Sequence, residues 1–153
     1  MGLETPMAQL AYALYHMRSG RVAEAKSVAA SGIEQVGLDT SWVGPVLDGI
    51  ADESRREEAV RIFGTVAASG ELLGNAEITV WMLLGEVDRA MAVARRLETE
   101  RGLFELELIF IDEFQAFREH PDFGAFTTAI GLADYWDQSR CRWEAGRIRC
   151  SQT

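Results

Sequence analysis

Lysine is almost missing from this 153-residue chain: Lys26 is the only one, and the positive charge is carried by arginine. Histidine occurs twice (His16, His120), cysteine twice (Cys141, Cys150) and proline three times (Pro6, Pro45, Pro121). Each scarcity excludes something. The histidines stand more than a hundred residues apart and outside any HExxH pattern, so they announce neither a zinc site nor a paired acid and base. His16 reads as a packing residue of the first helix and His120 as part of a turn beside Pro121. No GxxxxGK[ST] loop and no strand-borne GxGxxG occurs, which leaves nucleotide binding without support. No serine sits in a GxSxG elbow. No catalytic residue, metal site or cofactor is therefore expected.

Long apolar runs are also missing. The early stretch AQLAYALYHM is too short to span a bilayer and lacks the basic residues that precede a signal peptide's core. The expected location is cytoplasmic, with no membrane partner. In a reducing compartment Cys141 and Cys150 would be plain thiols; their spacing is unlike paired CxxC knuckles, although a loop between them could close into a disulfide.

What is present is acid. The formal charge is -9 and the pI near 4.7, so a phosphate backbone is repelled except by a local basic patch, and no nucleic-acid partner is expected. The one basic patch is the tail, residues 140–153, where Arg140, Arg142, Arg147 and Arg149 oppose Glu144 and alternate with Trp143. Such a tail could touch RNA, lipid or an acidic groove; the expectation is a solvated end resting on the protein's own acidic surface.

Prolines are so sparse that Ala-, Leu-, Glu- and Arg-rich stretches can run as helices. Those stretches repeat. GRVAEA at 20–25 matches GEVDRA at 85–90, and SRREEA at 54–59 lies between them with serine in place of glycine. Ala25, Ala59 and Ala90 are 34 and 31 residues apart by subtraction. A period near 34 built from two helices and a turn is the pattern of stacked helical hairpins, each burying its apolar face on its neighbours. The coarse assignment is 5–18 with 21–36, 41–52 with 54–69, and 74–84 with 86–101. Asp52 or Ser54 is the expected cap of the fourth helix, and no polar cap is evident ahead of the first.

With an aromatic on each first helix (Tyr12 or Tyr15, Trp42, Trp81), a Gly or Ser turn, and alanine at 25, 59 and 90, residues 5–102 resemble the tetratricopeptide repeat. The closing proline of that pattern is missing, and the middle unit lacks the turn glycine. The resemblance implies an all-α, right-handed solenoid of about three antiparallel hairpins (5–37, 41–70, 74–102) inside a domain spanning 1–139. Phe104, Phe110, Phe114, Phe117, Phe123, Phe126, Tyr135 and Trp136 crowd the segment 103–139, which is expected to form a helical cap over the last hairpin. Alternation from Phe104 to Phe110 would also suit a strand, but a lone strand among helices has nothing to pair with. FREHPDFGAFTTAIGLADYW is similar to the closing segment of bacterial tetratricopeptide proteins that carry a cyclase or transcription-factor domain ahead of their repeats.

The function this implies is a non-catalytic scaffold or adaptor holding a peptide or helix of another protein in a concave groove. The groove-facing candidates are Leu10, Leu14, Met17 and Arg18 of the first hairpin, Asp48 and Asp52 of the second, and Asn75, Thr79 and Met82 of the third. Members of the family that clamp a C-terminal carboxylate do so with basic residues on these helices. Lys26 is on a second helix, so a partner of basic or mixed charge with an apolar anchor is expected instead. The alternative is a homodimerising or regulatory segment of a larger bacterial enzyme or transcription regulator.

Overall fold

A computed structural model describes residues 5–72, 74–99, 104–144 and 147–151. The described chain is mostly helical, and it divides into two compact units, Met1–Leu72 and Leu73–Thr153.

The first unit holds α1 (Pro6–Arg18), α2 (Val22–Gln35), α3 (Val43–Ala51) and α4 (Arg56–Ser69). Thr5 supplies the cap that the sequence did not reveal: its hydroxyl accepts from the Ala8 N–H at 3.2 Å, with Pro6 pre-set in the first turn. At the other end of α1, Gly20 takes φ +70°. The Gly20 N–H then reaches the Met17 carbonyl at 3.0 Å and the Arg21 N–H reaches that of His16 at 2.9 Å. This Schellman closure satisfies the last carbonyls and reverses the chain into α2. α1 packs along α2, α2 along α3, and α3 along α4.

Without a glycine, the middle hairpin turns by other means. Asp52 leaves the helical region, and its carboxylate accepts from the Ser54 N–H at 3.0 Å and hydroxyl at 2.7 Å. A single 3-10 turn, Glu53–Arg55, then feeds α4. Asp52 thus caps that turn, one step ahead of α4 itself. Gly49 of α3 and Ala59 of α4 sit so close that a Cβ on Gly49 would lie 2.2 Å from that of Ala59. The core of this unit gathers Ala13, Ala25, Trp42, Val43, Val46, Leu47, Ala59 and Phe63.

The second unit begins with the hairpin of α5 (Gly74–Leu83) and α6 (Val87–Thr99). Its turn repeats the first: Gly85 at φ +81° donates to the Met82 carbonyl at 3.0 Å, and Glu86 donates to that of Trp81 at 2.9 Å. The shared GxVxxA motif therefore encodes one closure used twice, and Ala90 behind it is fully buried like Ala25. The assigned helix boundaries agree to within a few residues; the expected end of the sixth helix at 101 lies outside the described residues.

The segment that follows is helical in short pieces. The stretch expected as helix rather than strand is a 3-10 helix, Leu106–Phe110, followed by a 3-10 turn at Asp112–Phe114 and by α7 (Gln115–Glu119), α8 (Phe123–Ala129) and α9 (Leu132–Gln138). α7 and α8 pack against α6. Phe117 is the hub, with ring centroids 5.6, 6.0, 5.7 and 6.3 Å from Phe114, Phe123, Phe126 and Phe104. Arg118 ties the irregular stretch down by donating to the carbonyls of Ile109 (2.5 Å) and Ile111 (2.9 Å). Phe110 and Tyr135, by contrast, are exposed.

The tail is not the solvated end expected of it. Cys141–Glu144 (β1) and Arg147–Cys150 (β2) pair antiparallel, Cys141 opposite Cys150, and those two cysteines form a disulfide. Trp143 of β1 stacks on Trp136 of α9 at 5.7 Å and tilts against Phe123 at 5.1 Å. The physical reason is apolar: an indole with two aromatic neighbours within reach gains more by burial than a flexible tail gains in freedom. The basic segment is part of the second unit.

Candidate functional site

The groove candidates fall on both units, and the structure gives them different fates. On α1, successive residues advance about 100° around the axis. Ala13 faces the core, Leu10, Leu14 and Met17 are half-buried at its flank, and Arg18 lies beyond them in solvent. Ala11 and Tyr15 continue the same side, so a strip runs from Leu10 and Leu14 outward to Arg18 and Tyr15. Tyr12 is 48% and Tyr15 58% exposed. The resemblance gave one of these tyrosines the place that Trp42 and Trp81 hold in the other hairpins, and those two are buried; α1 packs chiefly on α2, and both of its tyrosines stay exposed. Arg21 stands over the Tyr15 ring at 4.9 Å and so places a cation at the strip's end.

Asp48 is not an open carboxylate. Lys26 of α2 lies 2.5 Å from it and Arg55 3.5 Å, so its charge is spent on holding α2, α3 and the following turn together. Asp52 is exposed, but it is committed as the cap of the 3-10 turn. The Ser54 hydroxyl and N–H, helped by nearby Arg55, hold its pKa below the usual carboxylate value. Neither acid is well suited to meet a basic partner without weakening its own turn.

In the third hairpin, Thr79 and Met82 are buried, which removes both from an open groove. Thr79 donates its hydroxyl proton to the Asn75 carbonyl at 2.8 Å, one turn back, and so satisfies itself within α5. Asn75 is half-buried; its side-chain oxygen accepts from the Glu105 N–H at 3.1 Å and fastens the start of the cap to α5. α5 is covered on several sides, since buried Glu77 also reaches Arg96 of α6 at 2.8 Å. Helical periodicity could not distinguish a groove-facing polar residue from one that bonds within its own helix.

His16 is half-buried against Tyr15, the packing role expected of it. His120 sits in the turn between α7 and α8, with Nδ1 accepting from the Asp122 N–H at 3.1 Å and Nε2 3.0 Å from an Asp88 oxygen. It is a corner fastener. Among the described residues, no group of three or more His, Cys, Asp or Glu could hold a metal ion, and no helix is long and apolar enough to cross a membrane.

Compared with protein-family models, curated proteins and solved structures, the chain finds no match. Each unit therefore offers a separate candidate surface by geometry alone: the α1 strip in the first, and in the second the terminal hairpin that carries Arg142, Arg147 and Arg149. The sequence carried a signal for each, the tyrosine pair and the arginines around Trp143. In the sequence Leu10, Leu14, Met17 and Arg18 already read as contact residues; the tyrosines beside them read only as the repeat's aromatic position, and the tail as a solvated end.

Proposed function

We propose that this chain is a non-catalytic protein-interaction module of the tetratricopeptide-like kind, with α1 as the principal contact helix for a peptide or helix of another protein. The observation that carries the reading is the strip Leu10, Leu14, Ala11 and Tyr15, flanked by Arg18 and Arg21. It is an apolar surface with cations at its edge, on a helix whose inner side is already packed. The repeated turn and the buried alanines behind it support the repeat character, and with it a solenoid. A partner of mixed charge with an apolar anchor suits this strip, because Asp48 and Asp52 are engaged within the protein.

The test uses peptides selected against the full chain from a displayed random library, with their affinities measured for the wild type and for Leu14→Glu with Arg18→Glu. A loss of tenfold or more at unchanged helicity supports α1 as the contact. Equal affinities remove it. Substituting Asp48 or Asp52 is a poor probe, since either change breaks an internal bond.

The same tyrosines favour one second reading, self-association through α1 as part of a regulatory assembly. Light scattering decides it: a concentration-dependent dimer abolished by Tyr12→Glu with Tyr15→Glu supports self-association, and a monomer at every concentration refutes it.

A further inference from the structure

The terminal hairpin presents a second surface, independent of α1. In the register Cys141↔Cys150, Arg142↔Arg149, Trp143↔Ile148, Glu144↔Arg147, residues directly opposite share a face. The disulfide, Trp143 and Ile148 make one face, and Trp143 anchors it to Trp136 and Phe123. The other carries Arg142, Arg149, Arg147 and Glu144. Arg142 and Arg149 stand directly opposite, an arrangement that destabilises a bare hairpin, and one carboxylate serves both: Glu144 is 2.8 Å from Arg142 and 3.7 Å from Arg149. Among the described residues Arg147 and Arg140 have no ionic partner. Positive charge is thus concentrated on a rigidly held face of an otherwise acidic protein.

The sheet has two strands, and every residue of β2 is exposed. The Ser151 N–H donates to the Arg140 carbonyl at 3.0 Å, which marks Arg140 and Ser151 as a hydrogen-bonded pair. Because such pairs alternate along an antiparallel ladder, Arg142/Arg149 and Glu144/Arg147 are bonded pairs as well. The N–H and C=O groups of Ile148 and Cys150 are then directed to the free edge.

We propose that β2 accepts an acidic, extended segment of another protein, which pairs along this edge with carboxylates set beside Arg147 and Arg149. An extended strand repeats its side chains on one face every ~6.6–6.8 Å, the same interval that separates those two arginines along β2, so acidic residues at alternate positions match them. The charge also says what does not bind. A second copy of β2 would bring arginine against arginine, the usual defence of an edge strand. A nucleic-acid backbone, far longer than the four-residue strand, would be repelled by the net charge of -9 beyond it. The disulfide makes the site ready beforehand, since a two-stranded hairpin is marginal on its own.

Fluorescence anisotropy of a labelled Glu-Val-Glu-Val-Glu peptide with the full chain tests this, beside a Lys-Val-Lys-Val-Lys peptide and a labelled single-stranded oligonucleotide. The expected result is binding of the acidic peptide, a loss of at least tenfold in Arg147→Glu with Arg149→Glu, and a gain of the lysine peptide by that variant. Ile148→Pro removes an edge-directed N–H without taking one from the ladder, and is expected to weaken binding severalfold while tryptophan emission reports Trp143 still stacked. No binding of the acidic peptide by the wild type overturns the proposal. So does undiminished binding by the charge-reversed variant. Tighter arginine-dependent binding of the oligonucleotide would overturn it in favour of a nucleic-acid surface, and full affinity in a stacked Ile148→Pro variant would overturn the edge pairing.

Discussion

Replacing Gly49 by alanine sets two effects of known sign against each other. Gly49 lies within α3, where alanine is favoured over glycine by about 1 kcal/mol through propensity. Against this, the new methyl carbon would lie 2.2 Å from the Ala59 Cβ and 3.0 Å from the Arg55 carbonyl oxygen. Neither neighbour is the far end of a flexible chain, so α3 and α4 must separate. Overpacking of this kind costs about 1–3 kcal/mol, and the crowding from both atoms places Gly49→Ala at the upper end, for a net loss of about 1–2 kcal/mol. For a unit the size of Met1–Leu72 that corresponds to a fall in Tm of about 6–13 °C. Thermal unfolding followed by far-UV circular dichroism measures it. A cycle with Ala59→Gly isolates the cause, since in that background Gly49→Ala has lost its closest obstacle and should be less harmful. A rise in Tm for Gly49→Ala alone would refute the close packing of the middle hairpin.

Arg118→Ala strips the donor from two part-buried carbonyls that the side chain serves, and with about 1–1.5 kcal/mol for each charge-assisted bond lost where water can partly replace it, the second unit should lose about 2–3 kcal/mol in urea unfolding. An unchanged midpoint would mean that the Leu106–Phe110 turn does not depend on it. The Asp52 carboxylate has a lowered pKa, so its contribution is present above the ordinary value of 3.8 and is lost as pH falls through the lower folded value. Wild type and Asp52→Ala should accordingly differ in Tm at pH 7 and converge in acid. A gap that persists well below pH 3 would contradict the cap.

Much of the helical framework was written locally. Gly20 and Gly85 reverse the chain because only glycine enters the left-handed region cheaply, a property of the residue itself, and so the GxVxxA turns were legible before any packing was known. Ala25, Ala59 and Ala90 followed from the same period, and all three are buried. Asp52 was legible as a cap because a carboxylate two residues ahead of an N–H needs no tertiary partner.

The surfaces were decided elsewhere. Whether Tyr12 and Tyr15 are core or contact depends on what lies over α1, which no periodicity states. Thr79 and Met82 became interior because neighbouring elements cover α5, and Asp48 lost its openness to Lys26, distant in sequence. The tail shows the division most clearly. Its charge was plain in the sequence, but its place on the second unit waited on Trp136 and Phe123 being set where Trp143 could reach them. Turns and caps are satisfied by near neighbours, so the sequence determines them; burial is a property of assembled faces, so the tertiary structure decides which residues remain to meet a partner.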